Sequence, residues 1–173
     1  MTGGSRKAVF LDRDGVLVEE RGDYNYLPAH FRLNRAIVPD LRAFVRAGYL
    51  LIVITNQSGI AKGIYTHAHV RRFHERLRKA LAEEGAPVTG FFYCPHHPSV
   101  SACLCRKPAP GLFQKALAMY DVDPGASLAF GDQPRDIAAA RAAGIRRAFL
   151  VAPNPSSLQQ YMKDDGYNGK GGS

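Results

Sequence analysis

Short apolar runs alternate with amphipathic segments along the 173-residue chain. Uninterrupted apolar runs indicate strands that are buried on both faces, as in parallel sheets. The predicted strands are residues 8–11, 50–54, 91–93, 128–130 and 148–151. Apolar residues spaced three and four apart predict helices at 39–47, 66–84, 110–120 and 135–143. The alternation predicts an α/β fold, a Rossmann-like parallel sheet with helices on both faces.

The length of the chain fits a single domain, which we place at residues 7–163. The polar, Gly-rich ends at residues 1–6 and 164–173 are predicted to be flexible. The amino terminus lacks the pattern of a secretory signal peptide. No apolar stretch approaches the roughly 20 residues that a membrane-spanning helix needs. We therefore expect a cytoplasmic, monomeric protein that does not bind membranes.

The chain is basic, with a formal net charge of +8 and a sequence pI near 9.6. Such a charge is compatible with nucleic acid, acidic lipid or phosphorylated metabolites. Five of the basic residues fall at helical spacing between residues 71 and 79, which is typical of a solvated helix face. Aromatic and basic residues do not alternate in a stripe. We therefore expect a small phosphorylated metabolite as the partner and no nucleic acid.

Polar residues follow the predicted strands at the points where ligands bind in parallel sheets. Asp12 and Asp14 follow the first strand, Thr55 the second and Asp132 a later one, while Lys107 precedes a helix. Taken singly, Asp and Gly after strands also make turns, and a Thr-Asn-Gln-Ser run also caps helices. The joint pattern favours a catalytic site.

The residue types suit phosphoryl transfer. A carboxylate such as Asp12 attacks phosphorus when the phosphoryl charge is neutralised and the attack is in line. Mg²⁺ favours oxygen ligands, and we predict the Asp12 and Asp132 carboxylates with the Asp14 backbone carbonyl. Thr55 and Lys107 are expected to contact the phosphoryl oxygens, and Asp14 to act as general acid and base.

Asp136 follows Asp132 by four residues and has two interpretations. It either contacts Lys107 and the ligands of the metal without binding the metal itself, or it is an acid in the first turn of a helix, where the helix dipole favours negative charge.

Asp12-x-Asp14-Gly15, Thr55, Lys107 and Gly131-Asp132 resemble the motifs of the haloacid dehalogenase superfamily. Within it, the chain resembles the heptose-bisphosphate phosphatases and the related histidinol-phosphate phosphatases, from about Val9 to Val151. Four strings carry this closer resemblance: FLDRDG at 10–15, TNQSGIAKG at 55–63, YCPHHP at 93–98 and CRKP at 105–108. The resemblance implies a phosphoaspartyl mechanism with Asp12 as nucleophile, and a domain without a large cap. Gln133 departs from the lysine common at that position in the heptose group, and the segment between Pro98 and Cys103 is short.

All three cysteines lie close together, in the pattern Cys94-x-His96 and Cys103-x-Cys105. Three thiolates and an imidazole form a tetrahedral zinc set with no open position, so we predict structural Zn²⁺. The site would hold Arg106 and Lys107, which follow directly, in the active site. The alternative is free cysteines in a loop. His97 is a second candidate ligand, but the pattern of the family matches His96.

Substrate contacts in a domain without a cap must come from loops. The candidates are Arg13, Glu20, Asn56, Gln57, Ser58, Arg106 and Lys107. Arg106 can bind a second phosphate through a bidentate pair, or it only braces its loop. The resemblance to the heptose group implies removal of the 7-phosphate of D-glycero-D-manno-heptose 1,7-bisphosphate as the expected reaction. Alternatives are histidinol phosphate, another small sugar phosphate, a phosphorylated nucleic-acid end, and a non-catalytic zinc-stabilised binding protein.

Overall fold

Five parallel strands form the centre of the fold, in the order β3-β2-β1-β4-β5. The structure is a computed structural model that describes residues 5–163. Its strands are β1 (Lys7–Leu11), β2 (Tyr49–Asn56), β3 (Val88–Cys94), β4 (Leu128–Gly131) and β5 (Arg147–Leu150). All four neighbouring pairs are parallel. The predicted fold class is confirmed.

Helices cover both faces of the sheet. They are α1 (Val38–Arg46), α2 (His67–Glu83), α3 (Gly111–Tyr120), α4 (Pro134–Ala142) and the short α5 (Gln159–Lys163). Side chains alternate along β1, so that Val9 packs in the core under α1 and α2 while Phe10 packs in the core under α3 and α4. Two hydrophobic cores therefore hold the strands from opposite sides.

Local signals set the ends of α2. The Thr66 hydroxyl accepts a hydrogen bond from the His69 amide at 3.4 Å, and Thr66 is the predicted N-cap. Gly85 follows the helix with a φ of +75°, a conformation that favours glycine. In the described part of the chain, no helix is long and apolar enough to cross a bilayer.

A long loop joins β1 to α1 and folds back over the carboxyl edge of the sheet. Val16, Leu17 and Val18 within it are fully buried, and Val18 bridges to Leu33. The burial of this apolar triplet anchors the residues that follow, including Asn25, above the sheet edge.

The predicted flexible ends lie mostly outside the described residues, namely residues 1–4 and 164–173. Within the described part, the Arg6 amide donates to the Asp121 carbonyl at 2.9 Å, next to the start of β1.

Candidate active site

One cleft of about 400 Å³ opens at the carboxyl edge of the sheet. It collects residues from the loop after β1, the end of β2, the segment before α3 and the β4–α4 turn. The predicted residues that line it are Asp12, Asp14, Glu20, Thr55, Asn56, Gln57, Ser58, Arg106, Lys107 and Asp132. Residues far apart in the chain therefore meet at the edge where the parallel topology places ligands.

Three carboxylates meet at the base of the cleft. Oxygen atoms of Asp12, Asp132 and Asp136 lie within 4.8 Å of one another. Gly15 makes this approach possible, because a Cβ at that position would overlap the Asp132 carboxylate. Its φ of +85° also favours glycine. The acids predicted to share a cation are thus adjacent.

Lys107 is the cation of this cluster. Its ammonium lies 3.0 Å from an Asp12 oxygen and 2.7 Å from an Asp136 oxygen, and it donates to the Ile54 carbonyl at 2.9 Å. Lys107 is only 2% exposed, so this charge is fully engaged. The position of Asp136, beside Lys107 and the other acids, matches the supporting role considered from the sequence.

The charge of the cluster suits a divalent cation. Three carboxylates and one ammonium leave two formal negative charges. Burial raises the pKa of Asp12 well above its usual range, against the lowering effect of Lys107, while Asp136 and Asp132 raise it further. A divalent cation would balance the charge and favour the ionised form that a nucleophile requires, and hard oxygen donors are the ligands of Mg²⁺.

The Asp14 carboxylate is held by several donors. Arg13 forms a bidentate ion pair with it at 2.7 Å, Asn25 Nδ2 donates at 3.0 Å and Gln57 Nε2 at 3.1 Å. Gln57 also donates to the Thr55 hydroxyl at 2.8 Å. The Asp14 side chain is 25% exposed, so it faces the cleft with a fixed orientation.

Asn56 connects β2 to the segment that carries Lys107. Its Oδ1 accepts from the Lys107 amide at 3.1 Å, and its Nδ2 donates to the Lys107 carbonyl at 3.3 Å. Asn56 lines the cleft and also positions the lysine backbone.

The cysteine loop brings its four predicted ligands together. Cys94 Sγ lies 3.1 Å from Cys105 Sγ, 3.6 Å from Cys103 Sγ and 3.4 Å from His96 Nδ1. The four donor atoms all lie within 4.8 Å of one another, and three thiols with one imidazole are a donor set that suits Zn²⁺. His97 instead contacts Ser99 through Nδ1 at 2.5 Å.

Comparison with known proteins identifies the family. The HAD-hydrolase-like family model matches residues 104–163. The D-glycero-beta-D-manno-heptose-1,7-bisphosphate 7-phosphatase of Haemophilus ducreyi is 38% identical over 152 residues, which are 84% of this chain and 83% of that protein. The enzyme of the same name from Pasteurella multocida is 34% identical over 167 residues, or 94% and 90% of the two chains. The chain belongs to the heptose-bisphosphate phosphatase family of the haloacid dehalogenase superfamily.

A solved structure is also similar to this phosphatase. It is the D,D-heptose 1,7-bisphosphate phosphatase of B. bronchiseptica, complexed with magnesium and phosphate. The TM-score is 0.78 at 32% sequence identity, and the match covers 91% of this chain and 86% of that one. The family predicted from the four sequence strings is confirmed.

Arg13, predicted as a substrate contact, has its side chain outside the cleft of the phosphatase. Arg13 does not line the cleft and is 1% exposed. Its guanidinium turns inward, pairs with Asp14, donates to the Asn25 carbonyl at 2.8 Å and lies over the Phe73 ring at 4.6 Å from the centroid. The Arg13 side chain therefore orients the Asp14 carboxylate, and substrate binding by Arg13 stays a prediction.

Arg106 shows features of both roles considered for it. It lines the cleft of the phosphatase, and its Nη1 donates to the His96 carbonyl at 3.3 Å. The hydrogen bond ties the side chain to the cysteine loop while leaving further donors of the guanidinium for a ligand.

Asn25, Tyr65 and Arg135 belong to the cleft and were not among the predicted residues. Asn25 is 2% exposed and holds Asp14, and Tyr65 donates to Gln57 Oε1 at 2.7 Å. Arg135 lines the cleft from the first turn of α4. Arg135 precedes Asp136 directly, so its nearness to the motif was visible in the sequence. Asn25 and Tyr65 carried no such signal, because their place depends on the paths of two loops.

His74 packs behind Arg13. Its ring stacks on Phe91 with centroids 4.7 Å apart, and its Nε2 lies 3.3 Å from Arg13 Nη1. Burial, together with the positive charges of Arg13 and Arg78, lowers the pKa of His74 to about 2. His74 is therefore neutral and accepts a hydrogen bond from Arg13.

This neutral histidine predicts a pH dependence of stability. The unfolded chain binds a proton at His74 below about pH 6.5, whereas the folded chain does so only near pH 2. Above pH 6.5, His74 makes no pH-dependent contribution to the free energy of unfolding. As the pH falls below that value, protonation of His74 in the unfolded chain lowers the free energy of unfolding increasingly. The slope is about 1.4 kcal/mol per pH unit.

Urea unfolding of the wild type and His74→Gln at pH 7.5 and 5.0 checks this prediction. Glutamine retains an acceptor for Arg13 but does not titrate. The wild type should lose about 2 kcal/mol more than the variant between the two pH values. Equal losses in both proteins would show that His74 is not the titrating group.

Proposed function

We propose that this phosphatase is a Mg²⁺-dependent phosphomonoesterase that acts through a phosphoaspartyl intermediate on Asp12. Its substrate is D-glycero-D-manno-heptose 1,7-bisphosphate, from which it removes the 7-phosphate. The observation that carries the proposal is the juxtaposition of Asp12, Asp132 and Asp136 around Lys107, with Asp14 in the same cleft.

The Asp12 and Asp132 carboxylates and the Asp14 backbone carbonyl would hold Mg²⁺. The cluster carries two uncompensated formal charges and offers hard oxygen donors, so its residues fit the ion. When bound, Mg²⁺ neutralises phosphoryl charge. Lys107 and the Thr55 hydroxyl would contact the phosphoryl oxygens, and Asp136 keeps the Lys107 ammonium in place.

Catalysis would proceed in two displacements at phosphorus. An Asp12 oxygen forms a bond to phosphorus while the bond to the sugar oxygen breaks, and Asp14 gives its proton to that oxygen. Asp14 then takes a proton from water, whose oxygen attacks phosphorus, so that inorganic phosphate leaves and the Asp12 carboxylate is restored. Asp14 returns to its protonated form, and the cycle balances.

The open cleft and the family favour a sugar bisphosphate as substrate. Arg106 offers a guanidinium for a second phosphate, and the flanking loops supply Glu20, Asn56 and Ser58. The relatives reported above are named as heptose-bisphosphate phosphatases. The removal of the 7-phosphate is inferred for this chain from those names and from the presence of Arg106 as a cation for the other phosphate.

The cysteine cluster is proposed to bind Zn²⁺ as a structural ion. Its four donors are enough to complete a tetrahedral coordination sphere, which would leave no position for substrate. The ion would hold in place the segment with Arg106 and Lys107, which follow Cys105 directly and line the cleft.

A substrate panel tests this function. The specificity constant kcat/KM is measured with both anomers of heptose 1,7-bisphosphate, histidinol phosphate and 3′-phosphorylated DNA, in the presence of Mg²⁺. We expect heptose 1,7-bisphosphate, as its preferred anomer, to exceed histidinol phosphate and the DNA end by about 100-fold, because only the bisphosphate offers a second phosphate monoester to a fixed cation in the cleft.

The panel also separates the alternatives. A preference for histidinol phosphate or for the DNA end would contradict the sugar assignment while leaving the chemistry intact. The absence of turnover with every substrate would contradict the proposed mechanism. Turnover at the full rate without Mg²⁺ would contradict the role assigned to the acid cluster.

A further inference from the structure

Three basic side chains line the cleft: Arg106, Lys107 and Arg135. Lys107 is engaged by Asp12 and Asp136. Arg106 gives one donor to the His96 carbonyl. Among residues 5–163, no hydrogen bond or ion pair involves the exposed Arg135 guanidinium. Arg135 is therefore the cation of the cleft whose donors are all available to a ligand.

The backbone beneath Arg135 is fixed. Asp136 Oδ2 accepts from the Gln133 amide at 3.0 Å, which closes the first turn of α4. A Cβ at Gly131 would overlap the Asp136 side chain, so Asp136 packs directly against the backbone of Gly131. Asp136 in turn pairs with Lys107. The backbone that carries Arg135 is thus held by the buried Asp136–Lys107 ion pair, and Lys107 also contacts Asp12.

The charges in the cleft indicate which cations are available to each anionic group of a ligand. Lys107 and a divalent cation together offset the three acids at the base. A second anionic group on the substrate must find its partners elsewhere, and the remaining cations that line the cleft are Arg106 and Arg135. Gln133 is neutral, so Arg135 supplies the positive charge of the β4–α4 turn.

We propose that Arg135 binds the second anionic group of the substrate and determines the preference for bisphosphates over monophosphates. This inference rests on the proposed function, because it requires a substrate with a phosphate besides the one transferred. A guanidinium suits that task, since its planar fork can donate two hydrogen bonds to one phosphate.

Binding measured apart from turnover tests the proposal. Asp12→Asn serves as the parent, and Arg135→Gln and Arg135→Lys are added to it. Isothermal titration calorimetry in excess MgCl2 gives the Kd of heptose 1,7-bisphosphate and of heptose 7-phosphate, which differ only in the second phosphate. Arg71→Gln is the matched control, because it removes the same charge from the exposed face of α2.

Arg135→Gln should raise the Kd of the bisphosphate about tenfold and leave that of the 7-phosphate within about twofold, as expected for the loss of a charge-assisted contact. Arg135→Lys should give an intermediate value, and Arg71→Gln should change neither. Equal weakening of both ligands, no weakening of either, or no detectable binding of the bisphosphate to the parent would overturn the proposal.

A second ligand pair keeps this result separate from the identity of the sugar. Glucose 1,6-bisphosphate and glucose 6-phosphate are titrated in the same way. If the substrate panel rejects heptose 1,7-bisphosphate, a selective loss of bisphosphate affinity with the glucose pair would still support the role of Arg135. If neither ligand pair shows a selective loss of bisphosphate affinity, the role of Arg135 is refuted, even if the panel confirms the heptose substrate.

Discussion

Replacing Asp12 with Asn should lower kcat by roughly 10⁴-fold or more, as expected when a covalent nucleophile is removed. Asparagine has nearly the same shape but does not attack phosphorus, and it also removes one of the acids predicted to hold Mg²⁺. The assay follows phosphate release from heptose 1,7-bisphosphate in saturating Mg²⁺.

The fold should survive this change. Burial disfavours the charged form of Asp12, so a neutral amide at the same site carries no such penalty, and Lys107 keeps its ion pair with Asp136. The melting temperature should stay within a few degrees of the wild-type value. Glu83→Gln, which neutralises an exposed acid on α2 outside the cleft, should retain full activity. Turnover by Asp12→Asn within tenfold of wild type would rule out attack by Asp12.

Removal of zinc is expected to have the largest effect on stability. Binding of a structural metal is coupled to folding, and its loss leaves thiols packed against each other, with burial raising the pKa of Cys94 to about 12. We expect the melting temperature to fall by about 10 °C or more. Activity should also fall, because the loop no longer holds Arg106 and Lys107 in the cleft.

The experiment separates the two metals by their ligand preference. 1,10-Phenanthroline prefers the softer ion, and added MgCl2 keeps the acid cluster supplied. Cys105→Ser should reproduce the loss of stability, whereas His97→Gln, which changes a histidine outside the cluster, should not. Elemental analysis should find about one zinc per chain. A purified protein without zinc whose melting temperature is insensitive to the chelator would contradict the assignment of this site.

Much of the fold could be predicted because its signals are local. The apolar runs of β1 and β2 are buried on both faces, and Thr66 and Gly85 mark the ends of α2 in sequence as in structure. The short α5 was missed, since it contains no buried residue and thus no apolar period.

The motif residues could be placed in one site for a topological reason. Side chains that follow parallel strands converge at one edge, so the approach of Asp12 to Asp132 follows from the strand order. The orientation of Arg13 could not be predicted, because it depends on Phe73 and His74 from a helix distant in sequence. The same holds for Asn25, whose contact with Asp14 requires the path of a long loop.

Trapping the covalent intermediate tests the central claim most directly. In Asp14→Asn, an activated aryl phosphate such as p-nitrophenyl phosphate can still phosphorylate Asp12, because nitrophenolate leaves without a proton, but the attacking water lacks its base. We predict a stoichiometric burst of nitrophenolate followed by slow turnover, and mass spectrometry of the acid-quenched protein should place the phosphate on Asp12. No burst and an unmodified Asp12, in a variant that still binds Mg²⁺ and whose wild-type parent hydrolyses the same ester, would contradict nucleophilic catalysis by this residue.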